Sequence, residues 1–156
     1  MLRQAPQAVN EKGMTDAPED DRDYQLSDQV GYNLRRTNQR HVAIFAAHVG
    51  DVTPTQFATL ARLNEHGAVS QNHLGRLTAM DSATIKGVVD RLEARGLVSL
   101  RPDPEDQRKR LVELTPEGHR AFARALPRAL AARRETLAPL SPEEAAQFER
   151  LLARLV

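Results

Sequence analysis

From Thr53 onward the chain marks its helix boundaries at such short intervals that only short helices fit between them. Thr53 stands at an N-cap, Pro54 at the first helical position and Gln56 at the reciprocal position of a capping box, while Gly67 ends the segment. Ser70 caps a second helix with Leu74 and Leu77 as its buried positions, and Asp81 caps a third. Along the third, Ile85, Val88, Val89 and Leu92 fall at i, i+3, i+4 and i+7 and form one apolar stripe; Gly96 followed by Leu97 reads as a Schellman-type stop. The segments LVSLR and KRLVELT then alternate as strands do and can pair as an antiparallel hairpin across a charged stretch that begins at Pro102. Further cap signals, at Thr115 with Pro116 and at Ser141 with Pro142 and Glu144, open two C-terminal helices.

The order helix, helix, helix, hairpin predicts a mainly α chain with a small β-hairpin, arranged over 53–115 as a winged helix-turn-helix lobe. In that architecture the third helix enters a DNA major groove while the wing reaches a phosphate backbone or minor groove. The candidate DNA-binding residues follow from it: Ser70, Gln71 and His73 on the second helix, then Ser82, Ala83, Thr84, Lys86, Gly87 and Arg91 on the third. An exposed glycine in mid-helix costs roughly 1 kcal/mol relative to alanine, so Gly87 is either a tolerated residue on a solvated face or a point of close approach by another backbone. In the wing, Pro102 and Pro104 stiffen the tip, Asp103 and Asp106 suit turns, and Arg108, Lys109 and Arg110 can project from it.

Composition removes several classes of function. At 156 residues, with 40% hydrophobic and 28% charged, one globular domain is expected, and no apolar run approaches the ~20 residues of a membrane span. The absence of cysteine rules out disulfides, thiolate metal sites and cysteine-based redox sensing, and a cytoplasmic setting fits best. Residues 1–23 carry six acids against three bases and read as a disordered acidic tail in which Met14 offers a second start; residues 24–156, read as a single domain, keep 19 bases against 15 acids, a net +4. Arginine supplies 19 of the 22 bases, and its planar fork suits phosphates and guanine edges. There is no G-x-G-x-x-G, Walker loop, H-E-x-x-H or nucleophile elbow, so neither an enzyme nor a cofactor is expected.

The run DSATIKGVVDRLEARGLVSLRPDPEDQRKRLVELTPEGHRAF resembles the MarR family of transcription regulators, whose wing carries a D-x-R pattern followed by a strand ending in L-T and a new helix. Here those residues are Asp106 and Arg108, then Leu111, Leu114 and Thr115, with Pro116 and Glu117 opening the helix. LSPEEAAQFERLLARL is also typical of the family's last helix. The resemblance implies a homodimer on a pseudo-palindromic double-stranded operator, with Asp106 orienting Arg108 into a minor groove, and with dimerisation helices at 24–50 and 116–156. Phe122, Leu126, Leu130 and Leu137 mark an apolar face on a helix that Pro127 is expected to bend, and Phe148, Leu151, Leu152 and Leu155 mark another. These faces can pack within one chain or between two, and the resemblance favours the second arrangement.

In the N-terminal helix, YQLSDQVGYNLRRTNQRHVAIFAAHVG, the stripe Leu26, Val30, Leu34, Ile44 and Phe45 is interrupted by Thr37 and His41. Tyr32, Arg36, Arg40 and His41, with Phe45 as an apolar wall, could line a cleft for an organic anion. A solvated basic face and a hydrogen-bonded core histidine are the plain alternatives. This helix is similar to that of family members controlling aromatic-acid breakdown, which implies release from DNA by an aromatic carboxylate or its coenzyme A thioester. A second alternative is a zinc-type metal-responsive regulator of the same fold, using His41, His48 and His66 with carboxylates such as Glu65.

Overall fold

The computed structural model describes residues 24–106 and 108–156, so the tail reading of residues 1–23, Met14 included, lies outside the described residues. The chain divides into two compact units, Met1–Arg36 and Thr37–Val156. In the first, Leu26–Asp28 form a 3₁₀ turn, Gln29 is extended, and helix α1 (Val30–Val49) begins. The helix therefore starts at Val30 rather than at Tyr24. Asn33 Nδ2 donates to Ser27 O at 2.8 Å and ties the preceding turn to the helix.

The second unit contains the rest of α1, then α2 (Pro54–His66), β1 (Val69–Ser70), α3 (Gln71–Leu77), α4 (Ser82–Ala94), β2 (Val98–Pro102), β3 (Arg110–Leu114), α5 (Pro116–Leu137) and α6 (Pro142–Leu152). Each expected cap forms. Thr53 Oγ1 accepts from Gln56 N while Gln56 Oε1 accepts from Thr53 N, and Ser70, Asp81, Thr115 and Ser141 each accept a backbone N–H of their own helix. Gly96, at φ 68°, ends α4: its N–H reaches Glu93 O at 2.8 Å and that of Leu97 reaches Leu92 O at 2.9 Å, the paired bonds of a Schellman motif.

The sheet has the order β1-β3-β2, all antiparallel, with Leu100 and Val69 flanking Val112. The expected hairpin is β2–β3; the third strand, β1, adds a short edge that joins α3 to the wing. The stripe Ile85, Val88, Val89 and Leu92 is buried with Leu60, Leu63 and Leu74. Leu77, expected in the core, is only half-buried, because α3 ends there and its last turn lies at the rim. Phe45, Phe57 and Phe122 form a ladder with ring centroids 5.7 Å apart at each step, linking α1, α2 and α5.

Helix α5 runs through Pro127 without interruption. Its inward face is made of Gly118, Ala125 and Ala132 with Ala121, Phe122 and Ala129 beside them. Leu126 and Leu130 are 39% and 47% exposed, so within the chain the leucine face looks outward. Small residues win the inner side because the helix lies close against its neighbours. Helix α6 buries no residue, and Phe148, Leu151, Leu152 and Leu155 are all exposed. Among the described residues no helix is long and apolar enough to cross a membrane.

Candidate nucleic-acid interface

The wing tip is shaped by its acids. Glu105 N donates to Asp103 Oδ1 at 2.9 Å and Arg108 N to Asp106 Oδ1 at 3.1 Å, so short carboxylates add to the backbone bonds Lys109 N to Asp106 O at 2.8 Å and Asp103 N to Lys109 O at 3.0 Å. The Asp106 carboxylate also lies 3.7 Å from Arg108 Nε and 3.5 Å from Lys109 Nζ. The Arg108 side chain is nevertheless 96% exposed. It is a guanidinium steered at its base and free at its fork, an arrangement that leaves the donors open to an anion.

Because β1 pairs with β3, the start of α3 and the wing stand side by side. Ser70, Gln71 and Asn72 share an open recess of about 300 Å³ with Arg108, Lys109 and Arg110. The structure thus brings together two groups of candidates that are far apart in the sequence, and adds Asn72. His73 is exposed on the same helix.

On α4, Ser82, Ala83, Thr84, Lys86 and Arg91 are exposed and Gly87 is half-buried. Asp81 accepts from both the backbone N–H and the hydroxyl of Thr84, each at 2.8 Å, and these bonds, the backbone one foremost, hold its carboxyl below the usual carboxylate range. Lys86 Nζ is paired with Asp90 Oδ2 at 2.6 Å, one turn on. A Cβ added to Gly87 would meet the Arg91 guanidinium, the nearest atom at 3.3 Å.

The candidate anion-binding residues fall in both units. In the first, the guanidinium carbons of Arg35 and Arg36 lie 5.4 and 5.6 Å from the Tyr32 ring centroid. In the second, Arg40 donates to Thr136 O at 2.6 Å and to Glu135 O at 3.1 Å, a cation placed on carbonyls at the C-terminal end of α5. His41 Nδ1 lies 2.9 Å from Thr136 Oγ1. That hydroxyl spends its hydrogen on Ala132 O at 2.8 Å, so His41 Nδ1 is the donor and Nε2 remains for another partner. Phe45 is 4% exposed and packs on Phe57, which makes it core rather than an open wall. Glu135 and Thr136 are the partners that sequence reading missed, since a helix-end carbonyl has no residue-type signature.

The residues of the zinc alternative are not assembled. His48 Nε2 pairs with Glu135 Oε2 at 2.6 Å, His41 is held by Thr136, and His66 Nε2 lies 3.8 Å from Glu65. Among the described residues no group of three or more His, Cys, Asp or Glu could hold a metal ion.

Three helices in this order, closed by a three-stranded sheet whose hairpin stands beside them, define a winged helix-turn-helix protein. The MarR family profile matches residues 50–109. The HTH-type transcriptional repressor NicR of Pseudomonas putida is 51% identical over 104 residues, covering 65% of this chain and 66% of the repressor. The transcriptional regulator HosA of Escherichia coli is 31% identical over 131 residues, 84% of this chain and 97% of that protein. Among solved structures, BpsR of Bordetella bronchiseptica, whose DNA binding is regulated by 6-hydroxynicotinic acid, superposes with a TM-score of 0.81 at 40% identity, covering 85% of this chain and 96% of that one. The chain belongs to the MarR family of transcriptional regulators.

Proposed function

We propose that this protein is a repressor that binds a pseudo-palindromic operator as a homodimer and lets go when it binds a small aromatic carboxylate. The observation that carries the DNA-binding part is the shared recess of Ser70, Gln71 and Asn72 with Arg108, Lys109 and Arg110, beside the polar outer face of α4. In this reading α4 lies in the major groove, Arg108 enters the neighbouring minor groove, and Lys109 and Arg110 contact phosphates. A narrow minor groove concentrates negative potential and draws in a guanidinium. The similarity to NicR supports repression, and the similarity to BpsR supports an effector of the hydroxypyridine-carboxylate kind over a coenzyme A thioester.

The effector reading places the carboxylate on Arg40 and His41. Arg40 already spans from α1 to the last turn of α5, so an anion that engages it competes with the carbonyls of Glu135 and Thr136. An effector acts only through a difference in its affinity for the DNA-free and DNA-bound forms, typically 1–3 kcal/mol of coupling at about this scale. Arg40→Ala, combined with His41→Ala, is expected to raise the concentration of 6-hydroxynicotinic acid needed for half-release of DNA by about tenfold or more. Gel-shift titration with that acid, with benzoate and with a coenzyme A thioester checks this. Wild-type release by the thioester alone would reassign the ligand, and unaltered release from the double variant would move the pocket elsewhere.

A further inference from the structure

Gly87 is the one residue of α4 that the fold itself does not explain. Glycine is a poor helix former, and here the space beside it is not taken by the core. The three nearest atoms to an added Cβ all belong to one guanidinium: Arg91 Nη1 at 3.3 Å, Nη2 at 3.8 Å and Cζ at 3.9 Å. Arg91, one turn later, therefore lies back along the helix across the bare Cα of Gly87. Lys86, the other base on the outer face, pairs with Asp90 at 2.6 Å, whereas Arg91 is exposed and has no ion pair among the described residues.

We propose that Gly87 is a specificity-determining position, which lets the Arg91 guanidinium lie flat along α4 and presents its fork to a guanine edge in the major groove. The proposal rests on the reading of α4 as the groove-entering helix. Long side chains on a helix lean toward its N-terminus, and the N-terminal residues of a recognition helix are the ones that reach base edges. Arg91 sits late in α4 (Ser82–Ala94), and only by leaning over Gly87 does its fork come back toward the base-reading half. A methyl group at position 87 would stand 3.3 Å from Nη1, tighter than an ordinary contact, so the Arg91 fork would have to shift away from the helix by about a few tenths of an ångström, enough to spoil a bidentate alignment with a base edge. Gly87 is thus a positioning residue acting through Arg91.

The test uses the full chain as wild type, Gly87→Ala, Arg91→Ala and the double variant, with duplexes selected by the wild type from a randomised library. Affinity is measured for every single-base change in the selected sequence, and thermal unfolding is followed in parallel. Gly87→Ala is expected to raise Tm by about 3 °C, as a better helix former should. The same variant is expected to cut the preference for G·C at one symmetry-related position from about tenfold to about twofold or less. Arg91→Ala should erase the preference at that same position, and the double variant should lose nothing more there. A Gly87→Ala protein with the wild-type pattern of base preferences, or with an even loss at every position, overturns the proposal while leaving α4 as a DNA-reading helix. A wild type that selects no sequence at all overturns the DNA-binding reading and this inference with it.

Discussion

Leu152→Asp is expected to abolish the homodimer and to weaken operator binding by about a hundredfold or more. One chain leaves several apolar faces bare. Helix α6 buries nothing, and Phe148, Leu151, Leu152 and Leu155 join Leu126, Leu130 and Leu140 among the large exposed apolar residues. A patch of this extent on a lone chain marks a contact with another chain. The α5–α6 pair is itself fixed by a bidentate ion pair, with Arg133 Nε donating to Glu149 Oε1 at 2.8 Å and Nη2 to Glu149 Oε2 at 2.6 Å, so the leucines are presented on a braced surface. An aspartate in a two-fold interface is buried twice, once from each chain, and would have to be desolvated without a partner. Loss of the dimer also removes the second DNA-binding lobe, which otherwise meets its half-site at high effective concentration. Sedimentation of the variant should show monomer, and anisotropy with a palindromic duplex should show the weaker binding. A soluble dimer with wild-type affinity would show that this face does not join the chains.

Gly118→Ala is expected to destabilise the fold by about 3 kcal/mol, in the upper range for overpacking. Thr115 caps α5 and also ties it down: Thr115 N–H donates to Leu97 O at 3.2 Å and Thr115 Oγ1 to Gly96 O at 2.7 Å. These bonds press the first turn of α5 onto the turn that ends α4. A Cβ on Gly118 would fall far inside the van der Waals contact distance to Leu97 O, an acceptor that is backbone and cannot swing aside. The helix would have to lift, with loss of the Thr115 bonds and of packing around Leu97 and Leu114. Urea unfolding followed by circular dichroism measures the change; a midpoint equal to that of wild type would show that α5 has slack at this end.

These two sites also show what can be read in a linear sequence. The caps at Thr53, Ser70, Asp81, Thr115 and Ser141 are legible because the donor and acceptor lie three residues apart and depend on residue type. The α4 stripe is legible because its four apolar residues have no rival face. Helix α5 does have a rival: its alanines and its leucines both recur at helical spacing, and spacing alone leaves open whether the leucine face packs within one chain or between two. Close helix packing puts the alanines inside, and Leu126 and Leu130 stay exposed on the chain. Strand β1 is too short to show a period and exists through Val112 and Leu111, far along the chain.

The candidate site divides in the same way. Arg108 and Asp106 are two residues apart, and their proximity is visible in the D-x-R spacing. The union of Ser70 and Gln71 with the wing depends on β1 and could not be anticipated. His41 stands out in the sequence as a polar interruption of an apolar stripe, with Arg40 beside it. Their partners, Glu135 and Thr136, lie 95 or 96 residues away at a helix end, where the acceptors are main-chain carbonyls and a hydroxyl. Gly118 is similarly opaque, because the reason for glycine there is the Leu97 carbonyl, a neighbour that only the folded chain supplies.

The central claim is that the wing and α4 together read a DNA sequence, and Arg108→Ala tests it most directly. Wild type and variant are titrated by fluorescence anisotropy against the duplex selected by the wild type and against a scrambled duplex of the same composition, over a series of salt concentrations. Wild type is expected to prefer the selected duplex by about a thousandfold or more. The variant should lose roughly 1–3 kcal/mol on that duplex, with little loss on the scrambled one and a flattened preference at the outer A·T positions. Equal affinity of the wild type for both duplexes, or an equal loss on both in the variant, would contradict it.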